Sequence, residues 1–371
     1  MKSSVVLYDI DSTIPNLALM KLSNFYKKQG FRIILSRDTV YIKADRYYAS
    51  TVFSITTSHE KVAVLKNLYH KNIDIGGSGI YLDKRLPPEI ESCSPDYTLY
   101  NHTAYALGFL TRGCTKKCTF CLVPRKEGKI RKTSSFENFV PRGQRNVMLL
   151  DDNLLTYPRA EDLLNEMIVK KYAINFSQSL DIQYVNDHIA QLLYRISSRN
   201  SKFTKPMIYF SCNNVKTVKQ FVDRRDILKG FGEDRVSVIA MYGFDTHLRE
   251  DYERFVMIKK LRLIPFLQEY YPISGVPQRL PGNFFDMDMN DVICLTFRSN
   301  GINWEKYLRW LNRLYLKTFG KYYLPLIQII YRYNNKSSIN KYLRKPHLLT
   351  TKLYHFYKTD EELHSDSIYF Y

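Results

Sequence analysis

Arg112-Gly113-Cys114-Thr115-Lys116-Lys117-Cys118-Thr119-Phe120-Cys121-Leu122-Val123-Pro124 gathers three thiols into one short stretch. The apolar run before it, Ala104–Thr111, reads as a buried strand, so the cysteines fall on a loop at a strand's carboxyl end. Thiolates so close together can converge on one centre, and they are the ligands of zinc and of iron–sulfur clusters. Three is the informative count. A cubane cluster held by three cysteines keeps one iron open, whereas a structural zinc wants a fourth protein ligand. His102 is the nearest residue that could supply it, at a spacing unusual for a zinc finger. Cys93, Cys212 and Cys294 are scattered, and a long chain without a secretory leader does not read as a disulfide scaffold.

Outward from this loop, strands and helices alternate. Downstream, Asn146–Leu150, Ile174–Leu180, Met207–Cys212, Val236–Met241 and Ile264–Gln268 read as strands. Helices are expected between them over Ser135–Val140, Arg159–Lys170, Val185–Ser197, Val215–Lys229 and Leu248–Leu261. Six such β/α steps predict a partial (β/α)6 TIM-type barrel, with a doubly wound sheet as the alternative. Upstream, Ser4–Ile10, Arg32–Leu35, Tyr47–Ser54 and Asn72–Ile75 read as strands, with helices from Pro15 to Gly30 and from Ser58 to about Tyr69. This order predicts a Rossmann-like, doubly wound α/β domain. The loop Gly76-Gly77-Ser78-Gly79 ends its last strand, where such sheets bind ligands, although a plain tight turn is the preferred reading. The proline-bearing stretch Leu86–Tyr100 reads as a surface linker. The expected division is 1–85 for the first domain, 86–103 for the linker, 104–300 for the barrel core and 301–371 for a basic, aromatic helical extension.

Of 371 residues, 45% are hydrophobic and 25% charged, which excludes disordered and fibrous chains and permits a sizeable core. No run approaches the ~18 apolar residues of a membrane span, and no secretory leader is visible, so a cytoplasmic protein is expected. Fifty-five Lys and Arg stand against 36 Asp and Glu, a net charge of +19. Arg112–Arg145 alone carries ten basic and two acidic residues. Such a surface favours anionic partners, nucleic acid first, although a Lys-, Asn- and Tyr-rich background composition gives the same excess. In the extension, Trp304, Arg309, Trp310, Arg313 and Tyr315 could stack on bases and meet phosphates; at helical spacing such residues more often form a packed face with a solvated one.

The spacing Cys-x-x-x-Cys-x-x-Cys, with Phe120 just before the third cysteine, resembles the radical SAM superfamily. The following Leu122-Val-Pro-Arg-Lys-Glu-Gly-Lys-Ile-Arg131 looks like the subgroup of the methylthiotransferases and of enzymes with a cobalamin-binding-like N-terminal domain. The resemblance implies that Cys114, Cys118 and Cys121 hold a [4Fe–4S] cluster whose open iron chelates S-adenosylmethionine. It implies a one-electron reductant, flavodoxin- or ferredoxin-like, and reductive cleavage to methionine and a 5′-deoxyadenosyl radical that abstracts a substrate hydrogen. Phe120 would lie along the adenine. Cofactor contacts are expected at strand carboxyl ends: Asp151 and Asn153 after the second strand, Gln178 and Asp181 after the third, and Ser211 and Asn213 after the fourth. Asp152 could cap the next helix instead, Cys212 reads as a small buried hydrophobe, and Tyr242 and Gln268 are weaker candidates.

Departures from the family narrow the reaction. Only Cys93 precedes the motif, so the second cluster of a methylthiotransferase is not expected. The first loop, Asp9-Ile10-Asp11-Ser12-Thr13-Ile14, has no histidine for cobalt, which disfavours cobalamin. The substrate stays unidentified, with nucleic-acid modification ahead of a small molecule. The alternatives are a cobalamin-dependent radical methyltransferase and a non-enzymatic nucleic-acid-binding protein stabilised by a cluster or zinc.

Overall fold

A computed structural model describes residues 3–102, 104–271, 277–299 and 301–327. The extension expected over 301–371 lies outside them beyond 327. The chain divides into two compact units. The first takes the described parts of Met1–Ser211, Arg224–Ser237 and Tyr271–Gln278; the second takes Cys212–Asp223, Val238–Tyr270 and the described part of Arg279–Tyr371.

The first unit opens with β1 (Ser4–Asp9), α1 (Leu17–Lys28), β2 (Arg32–Ser36), β3 (Arg46–Ser50), α2 (Thr56–Tyr69) and β4 (Ile73–Gly76). The strands form a parallel sheet in the order β2-β1-β3-β4. Strand alternation explains why the run Val5–Tyr8 is apolar throughout. Val6 and Tyr8 face Val62, Leu65 and Tyr69 of α2, while Val5 and Leu7 face Leu19, Leu22 and Tyr26 of α1. Helix α1 starts later than Pro15: Asn16 is its cap, accepting from the Leu19 N–H at 3.2 Å. Asp11 is engaged elsewhere, as described below.

Leu86–Tyr100 is more than a surface linker. It forms the short helix α3 (Pro88–Glu91) and a 3-10 turn, Tyr97–Tyr100. Asp96 accepts from Ser23 Oγ at 2.6 Å and pairs with Lys27, and Tyr97 donates its hydroxyl to the Phe139 carbonyl at 2.6 Å.

The expected strand Ala104–Thr111 is broken in two, β5 (Ala106–Gly108) and β6 (Thr111–Arg112). There follow α4 (Val123–Lys126), β7 (Arg131–Lys132), α5 (Phe136–Phe139), β8 (Asn146–Leu149), α6 (Ala160–Lys170), β9 (Ala173–Phe176), α7 (Asp187–Arg195), β10 (Ser197–Ser198) and β11 (Ile208–Ser211). β5, β8, β9 and β10 form a second parallel sheet in the order β10-β9-β8-β5, and β6 pairs antiparallel with β7. A parallel bridge, Leu180 to Phe210, brings β11 beside the end of the β9 segment. Met20 of α1 packs with Leu107 and Met148, joining the core beneath both sheets. The helix read over Val215–Lys229 divides into α8 (Val215–Asp223) and α9 (Arg225–Gly230). At the break, Arg224 donates from Nε to the Val185 carbonyl at 2.9 Å.

The second unit takes β12 (Val236–Tyr242) from Val238 onward, with α10 (Leu248–Lys260), β13 (Ile264–Glu269), α11 (Met289–Arg298) and α12 (Glu305–Phe319). Its core is aromatic. Trp304 stacks on Tyr252 at 4.7 Å, and Tyr307 and Trp310 pack edge-on or tilted against Tyr242. Both tryptophans are buried, Arg309 pairs with Glu305, and Arg313 pairs with Glu269. The base-stacking role considered for Trp304 and Trp310 is therefore corrected: their ring faces are spent on the core. Among the described residues no helix is long and apolar enough to cross a membrane.

Candidate metal centre

The thiol loop is built from its entry. Two adjacent carboxylates at the end of β8 hold the backbone that leads into it. Asp151 accepts from the Leu110 N–H at 3.1 Å, the Thr111 N–H at 2.6 Å and the Thr111 hydroxyl at 2.7 Å. Asp152 accepts from the Gly113 N–H at 2.8 Å. This capture of Leu110 and Thr111 breaks the expected strand. Burial pushes the Asp151 carboxyl up to about 6, against the pull of its donors. Gly113 is required here: its φ is +94°, and a Cβ would lie 2.5 Å from the Lys129 carbonyl oxygen. The Cys114 N–H then bonds the Gly128 carbonyl at 3.2 Å, which ties the two sides of the loop together.

Asp151→Ala is expected to strand the buried N–H groups of Leu110 and Thr111, at about 1–3 kcal/mol for each orphaned donor. Urea unfolding would measure the loss, and amide hydrogen exchange at Leu110 and Thr111 would accelerate. Unchanged exchange at both amides would show that the carboxylate does not hold the turn.

Cys114, Cys118 and Cys121 are all free and half-buried. Their sulfurs sit among hydrogen-bond donors. The Lys116 N–H reaches Cys114 Sγ at 3.3 Å, the Asn153 amide reaches the same sulfur at 3.5 Å, and the Val123 N–H reaches Cys121 Sγ at 3.4 Å. Burial raises the Cys118 thiol and pushes Cys121 up to about 11, with the neighbouring thiols adding to both shifts. The tip of the loop is anchored to the segment after β9: Lys116 forms an ion pair with Asp181, and Thr115 meets the Tyr184 hydroxyl at 3.3 Å. The trailing side is anchored by Glu127, a buried carboxylate that meets Arg112 at 3.2 Å, Arg131 at 3.6 Å and Lys126 at 3.8 Å. Glu127 went unnoticed in the sequence, although it is the only acid between Arg112 and Lys132.

Among the described residues no three Cys, His, Asp or Glu side chains crowd into a cage for one metal ion. Tetrahedral zinc with about 2.3 Å Zn–S bonds would bring thiolates within about 3.8 Å of one another. A cubane gives each thiolate its own iron and so spaces them more widely. The donor set, three thiols of which Cys114 and Cys121 face amide N–H groups, fits a cluster in its chemistry. His102 does not join them; its ring lies edge-on to Tyr105 at 4.2 Å.

The other expected residues divide into those around the loop and those elsewhere. Asn153 touches Cys114, Asp181 reaches the loop through Lys116, and Asp151 reaches it through Leu110 and Thr111. Phe120 is half-buried within the loop, and Gln178 is exposed. Ser211 donates its N–H to the Leu180 carbonyl at 3.2 Å. Asn213 belongs to the second unit, where its side chain accepts from the Met241 N–H at 3.4 Å. Cys212 is buried, its thiol pushed up to about 12 by burial; Tyr242 is a core aromatic and Gln268 is exposed.

The carboxyl end of the first sheet is filled by its own side chains. Asp11 accepts from the Val52 N–H at 2.7 Å, the Phe53 N–H at 3.1 Å and the Ser58 hydroxyl at 2.7 Å. Asp9 is buried and accepts from Tyr100 and Arg37. Gly77 crosses so near Thr51 that a Cβ would lie 1.9 Å from its carbonyl oxygen. The loop Asp9–Ile14 holds no histidine, and Asp11 already takes the Val52 and Phe53 N–H groups.

No family model matches the chain. It is 24% identical over 180 residues to a ribosomal protein uS12 methylthiotransferase, RimO, of Clostridium kluyveri, covering 42% of this chain and 39% of that protein. It is 24% identical over 207 residues to the RimO of Petrotoga mobilis, covering 50% of this chain and 47% of the relative. The chain thus spans less than half the length of these curated relatives. Two crystal structures of SuiB from Streptococcus suis, one bound to the precursor peptide SuiA and one to S-adenosylmethionine, align at 13% identity with a TM-score of 0.35. They cover 54% of this chain and 47% and 48% of theirs. The sequence matches relate the chain to the radical SAM superfamily.

Proposed function

We propose that this chain is a radical S-adenosylmethionine enzyme with one [4Fe–4S] cluster held by Cys114, Cys118 and Cys121, acting on a nucleic-acid substrate. The observation that carries the reading is the loop itself: three free thiols on one hydrogen-bonded loop, two of their sulfurs facing amide donors. When bound, the cluster supplies one-electron cleavage of S-adenosylmethionine to methionine and a 5′-deoxyadenosyl radical, with the electron coming from a flavodoxin- or ferredoxin-like donor.

The chain's own residues hold and orient. Asp151 and Asp152 fix the loop entry, Lys116 and Asp181 its tip, and Glu127 its trailing side. Phe120, Asn153, Gln178, Asp181 and Ser211 are read as cofactor contacts. The domain reading is a cobalamin-binding-like fold over 1–85, a connecting segment over 86–103, a partial (β/α)6 core over 104–300 and an extension over 301–371. The parallel order of β5, β8 and β9 supports the core. Lys117, Lys129 and Lys132 are exposed on the loop and its hairpin, which supports a polyanionic substrate.

The test is anaerobic reconstitution with iron and sulfide, then S-adenosylmethionine with a strong reductant, followed by mass spectrometry. 5′-Deoxyadenosine and methionine are the expected products. A protein that takes up zinc but no iron would overturn the reading. RNA and DNA binding should weaken steeply with salt; weak, salt-insensitive binding would remove nucleic acid as the substrate class.

A further inference from the structure

We infer that Asn153 is a positioning residue that sets the reduction potential of the cluster through one hydrogen bond to Cys114. The inference rests on the cluster reading above and goes beyond it, because there Asn153 is only an expected contact of S-adenosylmethionine. Asn153 follows β8 and is 9% exposed. Its side-chain nitrogen lies 3.5 Å from Cys114 Sγ. Its Oδ1 is buried and has no hydrogen-bond partner among the described residues.

These two facts together argue against a role in folding. An unpaired buried amide oxygen costs about 1–3 kcal/mol, while a bond to a neutral thiol returns little. Leucine has nearly the same shape and would carry no such cost. The arrangement becomes favourable once Cys114 is a metal-bound thiolate. A thiolate accepts and cannot donate, so it fixes the amide with its N–H groups toward sulfur and makes the bond charge-assisted. Hydrogen bonds to cluster sulfurs stabilise the more negative, reduced state and raise the potential. The Lys116 N–H makes the other contact to Cys114, but it is backbone and constant. Asn153 is therefore the one side-chain donor to a cluster sulfur among the described contacts, and so the one a substitution can remove.

The experiment compares wild type, Asn153→Leu and Asn153→Asp, each reconstituted anaerobically and titrated against dithionite, with the reduced cluster followed by electron paramagnetic resonance. Both variants lose the donor, so each should be about tenfold harder to reduce, about 59 mV for a one-electron couple. In the unreconstituted protein, Asn153→Leu should match or exceed wild type in urea midpoint. Equal potentials in all three proteins would overturn the inference. So would a Leu variant that is less stable than wild type with an unshifted potential, because that describes a structural residue. If Asn153→Leu loads no iron, Asn153→Asp decides alone, being nearly isosteric. Loss of the cluster from both variants would also overturn it, since Asn153 would then serve assembly rather than potential. A wild-type protein that loads no cluster is a separate result and defeats the reading beneath it.

Discussion

Cys118→Ala, reconstituted beside wild type, is expected to retain less than about a tenth of the wild-type iron and to form no detectable 5′-deoxyadenosine. Losing a partner that merely orients a ligand costs about 10–100-fold in metal affinity, so loss of a ligand itself should cost more. Only three thiols stand on the loop, and His102 is turned toward Tyr105, so no replacement is at hand among the described residues. The remaining cysteines provide the control. Cys93 donates its thiol to the Glu89 carbonyl at 3.3 Å, Cys212 is buried and Cys294 is exposed. Cys93→Ala and Cys294→Ala should keep full iron. If Cys93→Ala lost iron as Cys118→Ala does, the ligand set would be wrong.

The thiol loop was legible because its signal is local: spacing and the preceding strand lie within twenty or so residues of one another. The first sheet was legible for the same kind of reason. An apolar run such as Val5–Tyr8 has to be covered on both faces, and the intervening helices supply the cover. What supports the loop was harder to read. Asp151 was expected to face a cofactor, yet it spends both oxygens on Leu110 and Thr111, forty residues back along the chain. Sequence places an acid at a strand end without saying which backbone it will capture. Glu127 was hidden by its basic neighbours, although a single acid within a cationic run is a usable hint that it pairs with several of them. Trp304 and Trp310 carried two readings, because helical spacing alone does not say whether an aromatic stripe meets a ligand or a core; burial against Tyr252 and Tyr242 decides it. The 3-10 turn and α3 in Leu86–Tyr100 were missed because Asp96 and Tyr97 are fixed by partners on α1 and at Phe139, distant in sequence.

Arg254→Leu is expected to destabilise the second unit by about 3–5 kcal/mol, the cost of removing one partner from a buried ion pair. Arg254 and Asp251, one turn apart on α10, are both fully buried and meet at 2.6 Å. The guanidinium also donates to the Cys212 carbonyl at 3.2 Å and the Met241 carbonyl at 2.6 Å. Asp251 accepts further from the Thr246 hydroxyl at 2.7 Å and the Tyr307 hydroxyl at 3.1 Å. Without the arginine, a buried carboxylate keeps two neutral donors among the described residues, and the buried Cys212 carbonyl and the half-buried Met241 carbonyl lose theirs. Both tryptophans of the chain lie in this unit, so intrinsic tryptophan fluorescence during urea unfolding reports it selectively. With a urea slope of about 2 kcal/mol/M, the midpoint should fall by roughly 2 M. Asp251→Leu combined with Arg254→Leu should recover much of the loss, because an apolar pair of similar volume leaves no buried charge behind. A shift under about 0.3 M in the single variant would mean that α10 is held by its aromatic face alone. A double variant as unstable as the single one would place the cost in the lost carbonyl contacts rather than in the stranded charge.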